Sequence, residues 1–324
     1  MMKIDLNSID FSKKFHLLIL IIIIIFIFVI ISIIYTSIYY KNIEKNSKFK
    51  LFKDIPYINY DDFDPYYTSL DIYSPKEFTK DSNYPVIIFV HGGAWSESIG
   101  SKNDRHRYIL RGKYFTDNNF IVVNVNYRLS PKVKFPTHVR DVSKSILWVY
   151  ENIINYGGNN KEIYLMGHSA GGQIVSLIST NEVYLEENGL GLENIKASIL
   201  LEGVGYDLLL ARELKLDSKI IDKYYTLVSF GSSENILKNA SSINYIDENK
   251  NIPPILLINA ERTIFRISKI EAREFYKKLI KNNIYSEHHT ILGKSHTTLN
   301  KEFGSENDKT AEIVLSFINK FRIV

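Results

Sequence analysis

The pentapeptide Gly-His-Ser-Ala-Gly at residues 167–171 constrains the fold of this chain more than any other stretch. It follows an apolar run at 163–166 that is typical of a buried strand, and it precedes a helix-forming segment. G-x-S-x-G between a strand and a helix indicates a nucleophile elbow, a sharp turn that exposes the serine hydroxyl. Side chains at either end of so tight a turn would collide, and glycine has none. The pattern therefore predicts Ser169 as a catalytic nucleophile.

A second glycine motif lies upstream, where an apolar strand pattern at 86–90 ends in His-Gly-Gly-Ala-Trp at 91–95. Glycines allow backbone N–H groups to come close to a substrate oxygen. We expect the amides of Gly92, Gly93 and Ala170 to form an oxyanion hole, in which each donor contributes about 2.7–4 kcal/mol to the transition state.

The catalytic base is predicted from position. A serine is a weak nucleophile at its free pKa, so a base has to take its proton. His296 follows a strand-like run near the carboxyl end of the chain and is the predicted base. The other histidines have structural explanations: for example, His138 is predicted on a surface helix and His91 is predicted to brace the oxyanion loop.

The order of HGG strand, G-x-S-x-G elbow and late histidine is that of the α/β-hydrolases. The chain resembles the carboxylesterase-like α/β-hydrolases, a group that holds hormone-sensitive-lipase-like esterases, kynurenine formamidase and isoprenylcysteine methylesterase. The motifs that carry the resemblance are HGGAW at 91–95, NYRLSP at 126–131, FP at 135–136, RDV at 140–142, WVYENI at 148–153, YGGNNKEIYLMGHSAGG at 156–172 and PPILLI at 253–258. The resemblance covers residues 65–320 and implies ester hydrolysis through an acyl-enzyme.

The acid of the triad is the one member that the motifs do not supply. In the resembling families an Asp follows the PPILLI strand, whereas this chain has Thr263 at that position. Threonine cannot stabilise an imidazolium by charge, and replacing the acid by its amide in a serine protease lowers turnover about 10⁴-fold. Glu261, two residues earlier, is the preferred replacement. Asp207, after the predicted strand at 197–201, is the second, and a weak or incomplete triad is the third possibility.

Along the chain, strand patterns alternate with helix patterns, which predicts an α/β fold with a mostly parallel sheet and helices on both faces. Strands are predicted at 67–73, 86–90, 121–125, 163–166, 197–201, 255–258 and 285–292, and helices at 105–117, 139–154, 267–281 and 309–321. Arg128 and Asp141 are expected to form an internal ion pair. The irregular segment 206–251 is predicted to be a cap over the acyl pocket, as the resemblance implies.

The amino-terminal region is predicted to hold a membrane anchor. Residues 17–34 are apolar except for Ser32, a length that matches a hydrocarbon core of about 30 Å. A cleaved signal peptide, with an apolar region of about 7–15 residues, fits less well. We divide the chain into a tail (1–14), a transmembrane helix (15–40), a lysine-rich stalk (41–58) and the hydrolase domain (59–324). Lysines flank the helix on both sides, and their balance slightly favours a cytosolic catalytic domain.

Composition narrows the chemistry further. The chain has 324 residues and no cysteine, which excludes disulfides, thiol catalysis and cysteine-ligated metals. Its net charge of +4 is scattered, which indicates no nucleic-acid partner. We predict a membrane-anchored, single-pass serine hydrolase for small-molecule or lipid-like carboxylic esters, with no metal and no organic cofactor. The alternatives are an amidase or formamidase with the same machinery, a peptidase, and a hydrolase-fold interaction protein with weakened catalysis.

Overall fold

A computed structural model describes residues 11–97, 105–214, 227–263 and 265–322. Contacts within the chain divide it into two units, Met1–Ser47 and Lys48–Val324. In the first unit, helix α1 (Phe11–Asn46) has 36 residues and carries the predicted anchor. The helix is long and apolar enough to cross a membrane from Phe15 onward, a property that signal sequences near the amino terminus share.

The second unit is organised around one eight-stranded sheet in its described part. Its strands are β1 (Phe49–Pro56), β2 (Ser69–Pro75), β3 (Tyr84–Val90), β4 (Ile121–Val125), β5 (Gly158–His168), β6 (Ile195–Leu201), β7 (Ile255–Arg262) and β8 (Ser286–Ser295). The order across the sheet is β1-β2-β4-β3-β5-β6-β7-β8. The pairs β1–β2 and β2–β4 are antiparallel, and all other neighbouring pairs are parallel.

Helices follow most of the strands. They are α2 (Arg105–Asp117), α3 (Thr137–Asn152), α4 (Ala170–Thr180), α5 (Val183–Glu186), α6 (Leu208–Leu214), α7 (Leu227–Ser229), α8 (Glu234–Ala240), α9 (Arg266–Lys281), α10 (His296–Lys301) and α11 (Lys309–Asn319). Five successive residues of β3, from Val86 to Val90, are all fully buried. Because successive side chains of a strand point to opposite faces, both faces of the sheet are covered at its centre. The predicted α/β fold is therefore confirmed.

The stalk predicted at 41–58 is wrong as a single extended segment. Helix α1 continues to Asn46, and residues 49–56 form strand β1 at the edge of the sheet. Strand β1 carries Lys50 and Lys53 among apolar residues, and Lys50 Nζ lies 4.9 Å from the ring centroid of Phe52. Lysine is common on edge strands, where it opposes pairing with another chain. Lysine is also typical of solvated linkers, and for that reason the sequence predicted a stalk here.

In the described part of the predicted cap at 206–251, helices α6, α7 and α8 are joined by turns and irregular segments. Residues 215–226 lie outside the described residues, so the middle of the predicted cap is not assigned a structure. The described part is joined to the sheet unit by side-chain hydrogen bonds. Gln173 on α4 donates from Nε2 to the carbonyl oxygen of Ala240 at the end of α8, at 2.8 Å.

Candidate active site

The elbow is built at the junction of β5 and α4. Ser169 has φ 54° and ψ −121°, a backbone conformation that residues other than glycine rarely adopt. A Cβ atom at Gly167 would overlap the backbone of Gly171, and one at Gly171 would overlap the backbone of Val90. The two glycines are therefore required for the turn, as the sequence predicts. Strain of this kind persists only where the surrounding structure enforces it, which is common at functional sites.

The glycine loop after β3 lies directly against the elbow. A Cβ atom on Gly92 would come within 2.9 Å of the Ser169 Cβ atom, so only glycine fits at this distance. Gly93 has φ 113°, and the backbone of the next two residues also has positive φ. His91 donates from Nδ1 to the Gly92 carbonyl oxygen at 2.7 Å and stacks on Tyr127 with the ring centroids 4.5 Å apart. These contacts fix the loop, which is the bracing role predicted for His91.

Ala170 is the first residue of α4, where backbone amides have no acceptor within the helix. The glycine loop and α4 are further joined by side chains, because Trp95 donates from Nε1 to Gln173 Oε1 at 3.1 Å. The three predicted oxyanion donors, Gly92, Gly93 and Ala170, thus lie in two segments that meet at Ser169.

His296 begins helix α10, immediately after β8. Its ring contacts that of His168, the residue before the nucleophile, with centroids 4.7 Å apart. It also packs edge to face with the Phe265 ring, with centroids 4.8 Å apart. His168 donates from Nε2 to the backbone carbonyl oxygen of His296 at 3.1 Å. The described residues contain no hydrogen bond between Ser169 Oγ and His296. In unliganded enzymes such bonds are often long and tighten on substrate binding.

The carboxylate that the structure brings to His296 belongs to Glu202, which the sequence analysis did not consider. Glu202 follows the last residue of β6 and is fully buried. Its Oε1 lies 3.9 Å from His296 Nδ1, an ion-pair distance and longer than a hydrogen bond. Nδ1 is itself buried, and among the described residues it has no hydrogen-bond partner. The sequence signal that could have indicated Glu202 is a charged residue directly after an apolar strand. Such a residue rarely lies buried without a function.

Burial alone raises the pKa of Glu202, but its interactions with His296 and Thr263, the Ala260 amide and the charge of His296 outweigh burial and lower that pKa. The carboxylate is therefore ionised at neutral pH.

The other predicted acids have different partners. Glu261 is exposed, and its Oε2 accepts a hydrogen bond from the Gly293 amide at 2.8 Å. Asp207 accepts from the Leu210 amide at 3.0 Å and so caps α6. Among the described contacts of Glu261 and Asp207, none reaches His296.

Two expectations about nearby residues have clear outcomes. The predicted ion pair is confirmed, since Arg128 Nη2 lies 2.8 Å from Asp141 Oδ1. The surface position predicted for His138 is wrong, because its side chain is buried against Ser130. Among the described residues, no group of three or more His, Asp or Glu side chains is placed to hold a metal ion.

A family model described as BD-FAE matches residues 70–279. The chain belongs to the BD-FAE family. The match includes the glycine loop, the elbow and Glu202, and it ends before His296. The resemblance predicted from the motifs is confirmed, since the relatives of this BD-FAE chain include esterases, isoprenylcysteine methylesterases and a kynurenine formamidase.

Three relatives show how similar this chain is to known enzymes and how much of each enzyme it matches. Esterase LipQ of Mycobacterium tuberculosis is 29% identical over 197 residues, which are 60% of this chain and 45% of LipQ. The probable isoprenylcysteine alpha-carbonyl methylesterase ICMEL1 of Oryza sativa subsp. japonica is 27% identical over 249 residues, 71% of this chain and 54% of the relative. Kynurenine formamidase of Meyerozyma guilliermondii is 34% identical over 168 residues, 51% of this chain and 57% of the relative. The matches thus span about half the length of these relatives.

Solved structures agree on the fold. Esterase B from Lactobacillus rhamnosis superposes with a TM-score of 0.68 at 18% identity, covering 90% of this BD-FAE chain and 91% of the other. A truncated carbohydrate esterase from gut microbiota gives a TM-score of 0.69 at 18% identity, with coverage of 85% and 97%. At this identity the likeness establishes the α/β-hydrolase fold.

Proposed function

We propose that this chain is a serine hydrolase that cleaves carboxylic esters through an acyl-enzyme on Ser169. The observation that carries the proposal is the meeting of three segments at one point. These are the elbow that holds Ser169 at φ 54°, the glycine loop in contact with it, and the His296 ring packed on His168. The esterases among the relatives support the same reaction class.

The reaction follows from this arrangement. Nδ1 of His296 faces a carboxylate, which leaves Nε2 as the nitrogen that takes the proton from Ser169 Oγ. The serine oxygen forms a bond to the ester carbonyl carbon, and the amides of Gly92, Gly93 and Ala170 hold the resulting oxyanion. The imidazolium then gives its proton to the departing alcohol, leaving an acyl group on the serine. A water molecule repeats the sequence and releases the carboxylic acid.

We infer that α1 anchors this enzyme in a membrane. Support comes from a run in which apolar side chains are exposed on all faces, from Phe15 to Ile34. A helix that is apolar on all faces needs lipid or protein around it to be stable. An anchored hydrolase would act on small or lipid-like esters near the bilayer surface. Carbonate extraction of membranes, with mass measurement of the mature amino terminus, distinguishes an uncleaved anchor from a removed signal sequence.

The test of the reaction class is active-site labelling of the full chain in detergent. A fluorophosphonate probe should label the wild type and should not label Ser169→Ala. The matched control is Ser232→Ala, which changes an exposed serine of the cap segment and should label normally. Hydrolysis of p-nitrophenyl butyrate should follow the labelling. A wild type that is neither labelled nor active would contradict the proposal and favour the non-catalytic interaction protein.

A formamidase activity is the second candidate, because a kynurenine formamidase is 34% identical over half of this chain. Esters and N-formyl arylamines use the same nucleophile and oxyanion donors, and they differ in the leaving group that the histidine must protonate. Comparing kcat/KM for p-nitrophenyl acetate with that for an N-formyl arylamine, each in wild type and Ser169→Ala, decides between the two.

A further inference from the structure

We propose that Glu202, at the end of β6, is the acid of the triad, in place of a residue after β7. This assignment rests on the proposed hydrolase function. It names a catalytic partner for His296 at a position that neither the motifs nor sequence order indicated.

The two oxygens of the Glu202 carboxylate have different partners. Oε2 accepts hydrogen bonds from the Ala260 amide and, at 3.4 Å, from Asn259 Nδ2. Oε1 accepts from Ser268 Oγ at 3.1 Å and is the oxygen that faces His296 Nδ1. A buried carboxylate requires such partners, because an uncompensated charge in the core is costly. The donors thus fix one oxygen on β7 and present the other to the imidazole.

The backbone places this carboxylate beside the nucleophile. Glu202 has φ 45°, in the left-handed region that residues other than glycine rarely occupy. Its neighbour Leu201 accepts a hydrogen bond from the Ser169 amide at 3.0 Å, and the Glu202 amide donates to the Ile258 carbonyl oxygen at 2.6 Å. The end of β6 is therefore bonded to the elbow on one side and to β7 on the other. A strained residue at this junction indicates a functional constraint.

Thr263 contributes to the same site without a charge. Its Oγ1 lies 3.3 Å from Ser268 Oγ, and Ser268 in turn donates to Glu202 Oε1. Thr263 also interacts with the Glu202 carboxylate and helps to lower its pKa. The Thr263 hydroxyl therefore interacts with a carboxylate that comes from the end of the neighbouring strand, β6. That carboxylate supplies the negative charge that an Asp at position 263 would otherwise provide.

The decisive variant is Glu202→Gln, which keeps the size of the side chain and removes its charge. We expect kcat/KM for p-nitrophenyl butyrate to fall about 10⁴-fold, as for an acid-to-amide change in a serine protease. A carboxylate near an imidazole favours the protonated form, so the acid limb of the kcat/KM–pH profile should also shift to lower pH. Glu162→Gln is the matched control. Glu162 is equally buried, near the start of β5 with Tyr164 and Arg322, and its loss should leave kcat/KM unchanged.

Rescue separates a catalytic role from a structural one. Thr263→Asp in the Glu202→Gln background places a new carboxylate beside Ser268, and we expect it to recover at least tenfold in kcat/KM. Should Glu202→Gln fail to fold, Glu202→Asp keeps the charge but withdraws it from His296 by one methylene group, and it should lower kcat/KM. An unchanged kcat/KM in that variant would overturn the proposal.

Three further results would also overturn it: a folded Glu202→Gln variant within tenfold of wild-type kcat/KM, a comparable loss in Glu261→Gln instead, or no rescue together with an unshifted profile. Failure of the hydrolase assignment looks different, since the wild type itself would then be unlabelled by the fluorophosphonate probe. Labelling that depends on Ser169 but not on Glu202 would reject only this inference.

Discussion

His138 offers a test of the buried structure through pH. Its Nε2 lies 3.1 Å from Ser130 Oγ, and that hydroxyl donates its own hydrogen to the Val133 carbonyl oxygen at 2.8 Å. Ser130 can therefore only accept, so the hydrogen of His138 is on Nε2. Its Nδ1 is buried, and among the described residues it has no hydrogen-bond partner. Burial, and then the charge of Arg128, lower the pKa of His138 from 6.5 to about 3.

The sign and size of the effect follow from linkage. At pH 5 the unfolded chain binds a proton at His138 and the folded chain does not, so the free energy of unfolding falls as the pH decreases. With an unfolded pKa of about 6.5, the loss between pH 7.5 and pH 5 is about 2 kcal/mol from this one residue. His138→Gln can keep a donor to Ser130 and cannot titrate. The pH-dependent loss of stability should therefore be about 2 kcal/mol smaller in this variant than in the wild type.

Urea unfolding of the full chain in detergent, at pH 7.5 and pH 5.0, measures this difference. Both tryptophans, Trp95 and Trp148, lie in the unit 48–324, so their fluorescence reports on that unit. Equal slopes of free energy against urea are needed for the comparison. His16→Gln makes the same substitution in the other unit and should retain the wild-type pH dependence. Equal losses in His138→Gln and the wild type would show that His138 is not held neutral in the fold.

Three other variants test the site and its support. Asp141→Asn leaves the partly buried Arg128 cation without its charge partner, and should lower the free energy of unfolding by about 3–5 kcal/mol in the same urea assay. Gly92→Ala places a Cβ atom 2.9 Å from that of the nucleophile, and should reduce kcat per labelled enzyme about 10²-fold or more by moving the oxyanion donors. His168→Ala removes the donor to the His296 carbonyl oxygen and should lower kcat about tenfold. His168→Gln can keep a donor at that place and should lose less; equal losses in the two would contradict this role.

The elements that sequence predicted well are those specified by local chemistry. The elbow at Ser169 needs two glycines within five residues, and the buried strand at 86–90 needs only an unbroken apolar run. Strand β1 was missed because an edge strand carries lysines, as a solvated linker does. The position of His138 was missed because its burial depends on a contact with Ser130, eight residues earlier, that helix periodicity does not reveal.

The acid of the triad is the site residue that sequence predicts least well, because its position depends on how two strands lie in the sheet and not on any one segment. Strands β6 and β7 are parallel neighbours, and Leu201 is paired with Ile258, so their carboxyl ends lie side by side. A carboxylate from either end can reach the same imidazole. The resemblance points to the later strand, where Thr263 stands, and the only candidate that the sequence analysis took from the earlier strand was Asp207. What selects Glu202 is the direction of its side chain, set by a positive φ and by donors from β7 and α9. Those donors are 57 to 66 residues away along the chain, a separation at which no motif links them to the end of β6.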